Sequence, residues 1–317
     1  MARHDSASGR NFGWGSKMAY AGHNALRTAH GGGHHGTVAA HSERWGQFAN
    51  WAKGQGVKDS RQVDQTLVER YAADLSQRVA AGEVNVAYAQ NLLSSVNTTL
   101  AALREDSTIS VRPSVVGTRS TVRSDAPGGI DRAAIGRAAD ALRTAGHERA
   151  AAIVELTRDL GLRQKEAALL DARGALEQAR RTGKINVTEG TKGGRGHEID
   201  RLVPVSEQAM ATLQGATAVQ GAGRNLIPEG MSWVQFSQHV KGVALPALRE
   251  EGLGTVHDQR AAYACERYME ITGHQAPVVS GRRYASKETD RNARETISKE
   301  LGHKRIEVVA EYVGSSR

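Results

Sequence analysis

The sequence predicts a mainly helical fold with one small β element, an α+β arrangement spread over two folded units. Three observations lead there. Apolar residues recur at spacings of three and four through most of the chain, the pattern of helices with one buried face. A single region, around TEGTKGGRG, alternates with a period of two. Finally, 317 residues exceed a typical single domain, and a stretch rich in Ser, Thr, Gly, Pro and Arg interrupts the helical pattern about a third of the way along.

Residues 1–36 carry His4, His23, His30, His34 and His35 among glycine clusters such as HGGGHHG, with His41 nearby. Such a composition offers little apolar surface to offset ordering entropy, which predicts a flexible arm. Adjacent histidines point apart and no acidic or cysteine partner follows, so a metal site is not expected. A helical domain is expected over 37–106. In HSERWGQFANWAK, Trp45, Phe48, Ala49 and Ala52 share a face, and Gly54 and Gly56 end the run. Leu67, Val68, Tyr71, Leu75 and Val79 mark a second helix, and Leu92, Val96, Leu100 and Leu103 a third. Residues 107–129 read as a linker, with Arg112, Arg119 and Arg123 placed either to cross a phosphate backbone or simply to be solvated.

The region 130–317 returns to helical periodicity apart from Lys184 to Thr188 and Glu198 to Val203, two alternating runs that predict a β-hairpin with a long glycine-rich tip. The final ISKELGHKRIEVVAEYVGSSR reads locally as an amphipathic helix end, with Ile306, Val309 and Val313 on one face.

Composition narrows the function. Lys and Arg number 42 against 34 Asp and Glu, a formal net charge of +8, which favours an anionic partner, nucleic acid before a membrane surface. No apolar run spans a bilayer and no signal-peptide pattern opens the chain, so a cytoplasmic protein is expected. Cys265 is the one cysteine, which excludes an internal disulfide and a cysteine-rich zinc site.

Four places concentrate side chains suited to phosphate. In LTRDLGLRQKEAALLD, Arg163 follows a glycine between apolar flanks, three residues before Glu166; it is either a helix-surface charge or a guanidinium rising from a buried surround toward a bidentate anion. Lys192 lies in the hairpin tip TKGGRG, where glycines let backbone approach a ligand, although lysine and glycine also suit a solvated turn; Lys184 and Arg195 are rival cations. HDQR sets His257 and Arg260 on one face of a helix start. LGHKRIEVVAEY carries His303 and Tyr312. Cleaving a phosphodiester with a side-chain oxygen requires a nucleophile, cations for the phosphoryl oxygens and an acid for the departing sugar oxygen. This inventory supplies each of them. No acidic cluster with two-metal spacing is evident, which argues against a metal-dependent nuclease.

With these motifs in this order, the sequence resembles the tyrosine recombinases of the phage integrase family, from the helical region near Thr37 to Tyr312. LGLRQKE resembles the segment bearing the family's first arginine and its following glutamate, and TKGGRGHEIDRLVPVSEQA the lysine hairpin. HDQRAAYA resembles the His-x-x-Arg helix, usually written with Leu where this chain has Gln259. LGHKRIEVVAEYVG resembles the terminal box, with histidine and tyrosine nine residues apart. The resemblance implies a core-binding helical domain followed by a catalytic domain, the two together clamping duplex DNA. It implies that Tyr312 attacks the scissile phosphate to give a 3′-phosphotyrosine, with Arg163, Arg260 and His303 on the non-bridging oxygens. Lys192 would protonate the leaving oxygen, His257 would assist proton transfer and Glu166 would orient the site. No cofactor, metal or ATP is implied. The implied partners are double-stranded DNA at specific sites, a homotetramer on DNA with a dimer per site, and accessory DNA-bending or directionality factors; the setting would be prokaryotic cytoplasm.

Two departures stand out. His257 and His303 are 46 residues apart, more than in many relatives. The added segment carries Arg282, Arg283, Lys287, Arg291 and Arg294, for DNA or for solvent. Only VGSSR follows Tyr312, where many relatives have a helix that docks on a neighbouring protomer. Two other functions compete: a type IB topoisomerase, which uses nearly the same chemistry without synapsis, and a DNA-binding accessory protein without catalysis.

Overall fold

In a computed structural model, residues 9–303 and 305–316 are described, apart from the side chain of Arg195. The chain divides into two compact units at Ser120/Thr121.

The first unit is helical: α1 (Met18–Ala29), α2 (His35–Gly54), α3 (Gln65–Ala80) and α4 (Val86–Arg104). Side-chain caps start the later two, Asp64 accepting from the Leu67 amide and Asn85 from that of Tyr88. The core is built on Trp45, Phe48, Tyr71, Leu75, Leu92, Leu93 and Leu100. The flexible arm expected to residue 36 is corrected here, because α1 buries Met18, Ala21 and Ala25 in that core. Trp45 Nε1 donates to the Met18 carbonyl at 2.8 Å, and a Cβ on Gly22 would meet the Trp45 indole at 2.2 Å. Small residues thus let α1 sit directly on an aromatic ring. Residues 1–8 of that arm, His4 among them, lie outside the described residues. The expected linker is corrected too. Val111 and Val116 are buried in the first unit's core, whereas the turn Gly128–Ile130 belongs to the second unit.

The second unit continues the α+β arrangement. It runs α5 (Arg132–Thr144), α6 (Glu148–Leu160), α7 (Gln164–Leu169), α8 (Ala172–Thr182), β1 (Lys184–Asn186), β2 (Leu202–Pro204), α9 (Glu207–Gln220), α10 (Trp233–Glu250), α11 (Val256–Thr272), α12 (Pro277–Ser280), α13 (Lys287–Glu300) and α14 (Ala310–Val313). The strands pair antiparallel with Ile185 opposite Val203. They are shorter than the alternating runs suggested, because the residues between them form a glycine-rich tip that folds back on itself. Helix α6 is buried nearly throughout, and α11 packs against it and against α13. Arg158, buried on α6, donates to the Gly129 carbonyl at 2.6 Å and pairs with Glu266 of α11, fixing the register of these two helices. No helix among the described residues is long and apolar enough to cross a membrane.

Candidate functional site

Helix α6 ends at Gly161, whose φ of +58° is the left-handed conformation glycine adopts at low cost. The turn reverses the chain and leaves the Gly161 carbonyl free to accept hydrogen bonds. A side chain could not replace the glycine: its Cβ would meet the Tyr263 ring at 2.5 Å. Two residues on, Arg163 caps α7, and Glu166 Oε2 accepts from the Arg163 amide at 2.6 Å while Oε1 holds the Arg163 guanidinium. The guanidinium itself remains partly open to solvent.

Helix α11 begins with a reciprocal cap. Thr255 Oγ1 accepts from the Asp258 amide, and Asp258 Oδ2 accepts from the Thr255 amide at 2.8 Å. This start leaves His257 at the rim and turns Arg260 inward, where it is 0% exposed. Arg260 Nη1 donates to the Gly161 carbonyl and Nη2 to that of Leu301. Gln259 donates from Nε2 to the carbonyls of Leu253 and Thr255 at 2.9 and 3.1 Å and so stitches the helix start to its preceding loop.

Helix α13 stops at Leu301. The His303 amide donates back to the Ser298 carbonyl at 2.8 Å, which directs the His303 ring at Arg260. The expected terminal helix is a 3₁₀ turn, Ile306–Val309, leading into α14, with Val309 and Val313 buried. Tyr312, 5% exposed, comes to the same point. Its Oη lies 3.2 Å from His303 Nε2 and 3.5 Å from Arg260 Nε, and His303 Nε2 is 3.4 Å from Arg260 Nη2. The His257 and Tyr312 ring centroids are 6.1 Å apart.

The electrostatics follow from this burial. Desolvation first, then Arg260, Arg163 and Arg201, push the His303 pKa down to about 3, so its imidazole is neutral near pH 7. His257 is open to solvent on one side, yet partial burial and then Arg260 lower its pKa as well. Burial favours the neutral form of Glu166, but Arg201, Arg163 and Arg260 outweigh it and bring its carboxyl to about 2. Burial, followed by repulsion from Arg201, lowers Arg260 to about 10, which leaves it charged at neutral pH.

Lys192 stands apart from this group. It opens the 3₁₀ turn of the hairpin tip, Lys192–His197, is exposed, and among the described residues has no hydrogen bond or ion pair with the cluster. The tip is nonetheless moored beside it, since a Cβ on Gly190 would meet the Lys165 carbonyl oxygen at 2.8 Å and Glu166 Cα at 3.0 Å. Lys192 therefore starts two residues from backbone contact with the Glu166 turn. Among the described residues, no group of three or more His, Cys, Asp or Glu is placed to hold a metal ion.

Residues 121–266 match the sequence profile of the integrases. Over that span the chain is similar to the integrases. The profile takes in Arg163, Glu166, Lys192, His257 and Arg260, while His303 and Tyr312 lie beyond it and join the cluster through the fold. Among solved structures, a lambda integrase dimer bound to a COC′ core site is similar with a TM-score of 0.56 at 16% identity, covering 93% of this chain and 77% of that one. The crystal structure of XerA recombinase aligns with a TM-score of 0.39 at 15% identity, over 92% of this chain and 93% of that one. No curated protein sequence matches the chain.

Around the integrase segment, the structure adds residues that the motifs did not single out. Arg201, beside β2, is buried among the others. Its Nη1 forms an ion pair with Glu166 Oε2 at 2.7 Å, while Nε donates to the Glu300 carbonyl at 2.7 Å and Nη2 to that of Gly161 at 3.2 Å. One carboxylate is thus shared by three guanidinium groups, with Arg260 Nη1 3.7 Å away. A period of two running back from buried Val203 places Arg201 on the inward face, the one sequence signal that could have found it.

The arginines expected to meet DNA have varied surroundings. Arg112 and Arg119 are exposed. Arg123 pairs with Asp258 at 3.0 Å, and its amide donates to the Ala310 carbonyl at 2.9 Å, tying the start of this unit to α14. Arg282 is exposed and covers the Tyr284 ring, 4.5 Å from its centroid. Arg283 donates from Nε to the Ser316 carbonyl at 2.9 Å and from Nη1 to that of Ala285. The Arg195 side chain lies outside the described residues.

Proposed function

We propose that the protein is a site-specific DNA recombinase that cleaves and rejoins strands through a phosphotyrosine. The observation that carries this reading is the convergence on Tyr312 Oη of His303 Nε2 at 3.2 Å and Arg260 Nε at 3.5 Å, with Arg163 anchored to the same Glu166 carboxylate. A phenol beside guanidinium groups in a water-poor site is placed to attack an anionic phosphodiester, because fixed positive charge is worth most where charge develops out of water. Oη forms the new bond to phosphorus, the bond to the 5′ oxygen breaks, and the tyrosine proton leaves through the histidines. Lys192, exposed at the hairpin tip, protonates the departing 5′ oxygen. Arg163 and Arg260 hold the non-bridging oxygens. Since the phosphotyrosine conserves an ester, a second 5′-hydroxyl reverses the step without ATP, which allows strand exchange through a Holliday junction.

The basic balance of the chain and its integrase segment support duplex DNA as the partner. In this reading the first unit serves as a core-binding domain, two protomers occupy each site, and four assemble for exchange. Arg112, Arg119 and Arg282 are candidates for phosphate contacts. A duplex nicked so that the cleaved fragment diffuses away tests the function: wild type accumulates a covalent protein–DNA adduct, and persistence of that adduct in Tyr312→Phe would remove Tyr312 as nucleophile.

A further inference from the structure

We propose that Arg294, with Arg283, positions Tyr312 by clamping the backbone that follows it, an inference that rests on Tyr312 being the nucleophile. Helix α14 is four residues long and cannot hold a side chain in place by its own hydrogen bonds. The support comes instead from the segment between His257 and His303, which carries α12 and α13.

Arg294 on α13 is 5% exposed and uses its guanidinium as a fork. Nη1 donates to the Gly314 carbonyl and Nη2 to the Ser315 carbonyl, both at 3.0 Å, while Nε faces both oxygens of Asp290 at 3.0 Å. Asp290 Oδ1 also accepts from Tyr268 Oη at 2.8 Å. Tyr268 lies on α11, the helix that carries His257 and Arg260, so one rigid element supports both the cation cluster and the clamp. Arg283 adds a bond to the Ser316 carbonyl.

Packing closes the opposite side. Gly314 has a φ of +84°, and a Cβ there would meet the Val278 amide nitrogen of α12 at 2.8 Å. Upstream, the Arg123 amide holds the Ala310 carbonyl, and Cys265 Sγ lies 3.6 Å from the Tyr312 carbonyl oxygen. Five consecutive or near-consecutive carbonyls, from Ala310 to Ser316, are therefore bound by groups of the same chain. Arginine suits this task because its planar fork reaches two carbonyls and a carboxylate at once, which a lysine ammonium cannot do in one geometry.

The test uses the full-length chain and three variants: Arg294→Lys, Arg283→Ala and Gly314→Ala. Arg294→Lys keeps the buried charge beside Asp290, and the other two act at the edge of the clamp should the first fail to fold. Amide hydrogen exchange over residues 310–316 is read without DNA, then the dissociation constant for intact duplex and the single-turnover rate of adduct formation on nicked duplex. Exchange should rise, duplex affinity should stay within about twofold, and adduct formation should slow about tenfold to a hundredfold, as expected when a reacting atom is misplaced by an ångström. Folded variants with raised exchange that form adduct at the wild-type rate would overturn the clamp, as would unchanged exchange in all three. Absence of adduct in wild type would instead overturn the nucleophile reading, and this role for the clamp with it.

Discussion

His303 Nε2 and Tyr312 Oη are 3.2 Å apart, and the imidazole is neutral because burial and three nearby guanidinium groups disfavour its charged form. Stability then depends on pH with a definite sign. The His303 pKa is about 3 in the folded chain against 6.5 for an unperturbed histidine, so between those values the unfolded chain binds more protons. Stability is greatest above pH 6.5 and falls as pH drops toward 3. Glu166, shifted from 4.5 to about 2, adds to the loss below pH 4.5. His303→Gln should therefore show a shallower decline of Tm between pH 7.5 and 5 than wild type. Identical slopes would mean that His303 titrates normally.

Glu166 is 0% exposed and shared among Arg163, Arg201 and Arg260. Glu166→Gln keeps the shape and removes the charge, leaving buried guanidinium groups uncompensated. Loss of one partner of a buried ionic cluster typically costs about 3–5 kcal/mol, and urea unfolding should register a loss of that order. The same variant should slow adduct formation, because Arg163 is no longer held. A variant as stable and as active as wild type would show that Glu166 is dispensable.

Lys192 offers the contrasting case. It is exposed and without a partner among the described residues, so Lys192→Ala should leave Tm unchanged. Its proposed role as general acid predicts cleavage slowed by roughly 10²–10⁴. Replacing the 5′ bridging oxygen of the scissile phosphate by sulfur, whose thiolate leaves without a proton, should restore the rate. Equal defects on both substrates would assign the lysine to binding instead.

How much was legible in the sequence differs from residue to residue, for physical reasons. Helices α2 to α4 follow large apolar side chains at helical spacing, and the structure has a helix at each expected run, α2 starting six residues earlier, at His35 rather than His41. Helix α1 was missed because its buried face is built from Met18, Ala21, Gly22 and Ala25, whose small side chains mimic the composition of a mobile arm. That face packs directly against Trp45. Gly22→Ala should accordingly destabilise the first unit by about 1–3 kcal/mol through overpacking against the indole, with a shift in tryptophan fluorescence on milder denaturation. An unchanged unfolding midpoint would restore the flexible arm.

The cluster around Tyr312 was legible as motifs because local spacing sets His257 against Arg260 and Arg163 against Glu166. Arg201 and Arg294 were not, since each gains its meaning from carbonyls about 20 to 100 residues away in sequence, Gly161 and Glu300 for one, Gly314 and Ser315 for the other. An arginine in an alternating strand or on a charged helix face carries no local mark of the backbone it will hold.

In the proposed reaction Tyr312 takes the phosphate. Trapping the wild-type adduct on nicked duplex, digesting it with protease and nuclease, and locating the nucleotide-bearing residue by mass spectrometry tests it most directly. The expected result is a nucleotide linked through a 3′-phosphate to Tyr312, in the peptide that also contains Val309 and Val313. Nucleotide on any other residue, or cleavage without a covalent intermediate, would contradict it.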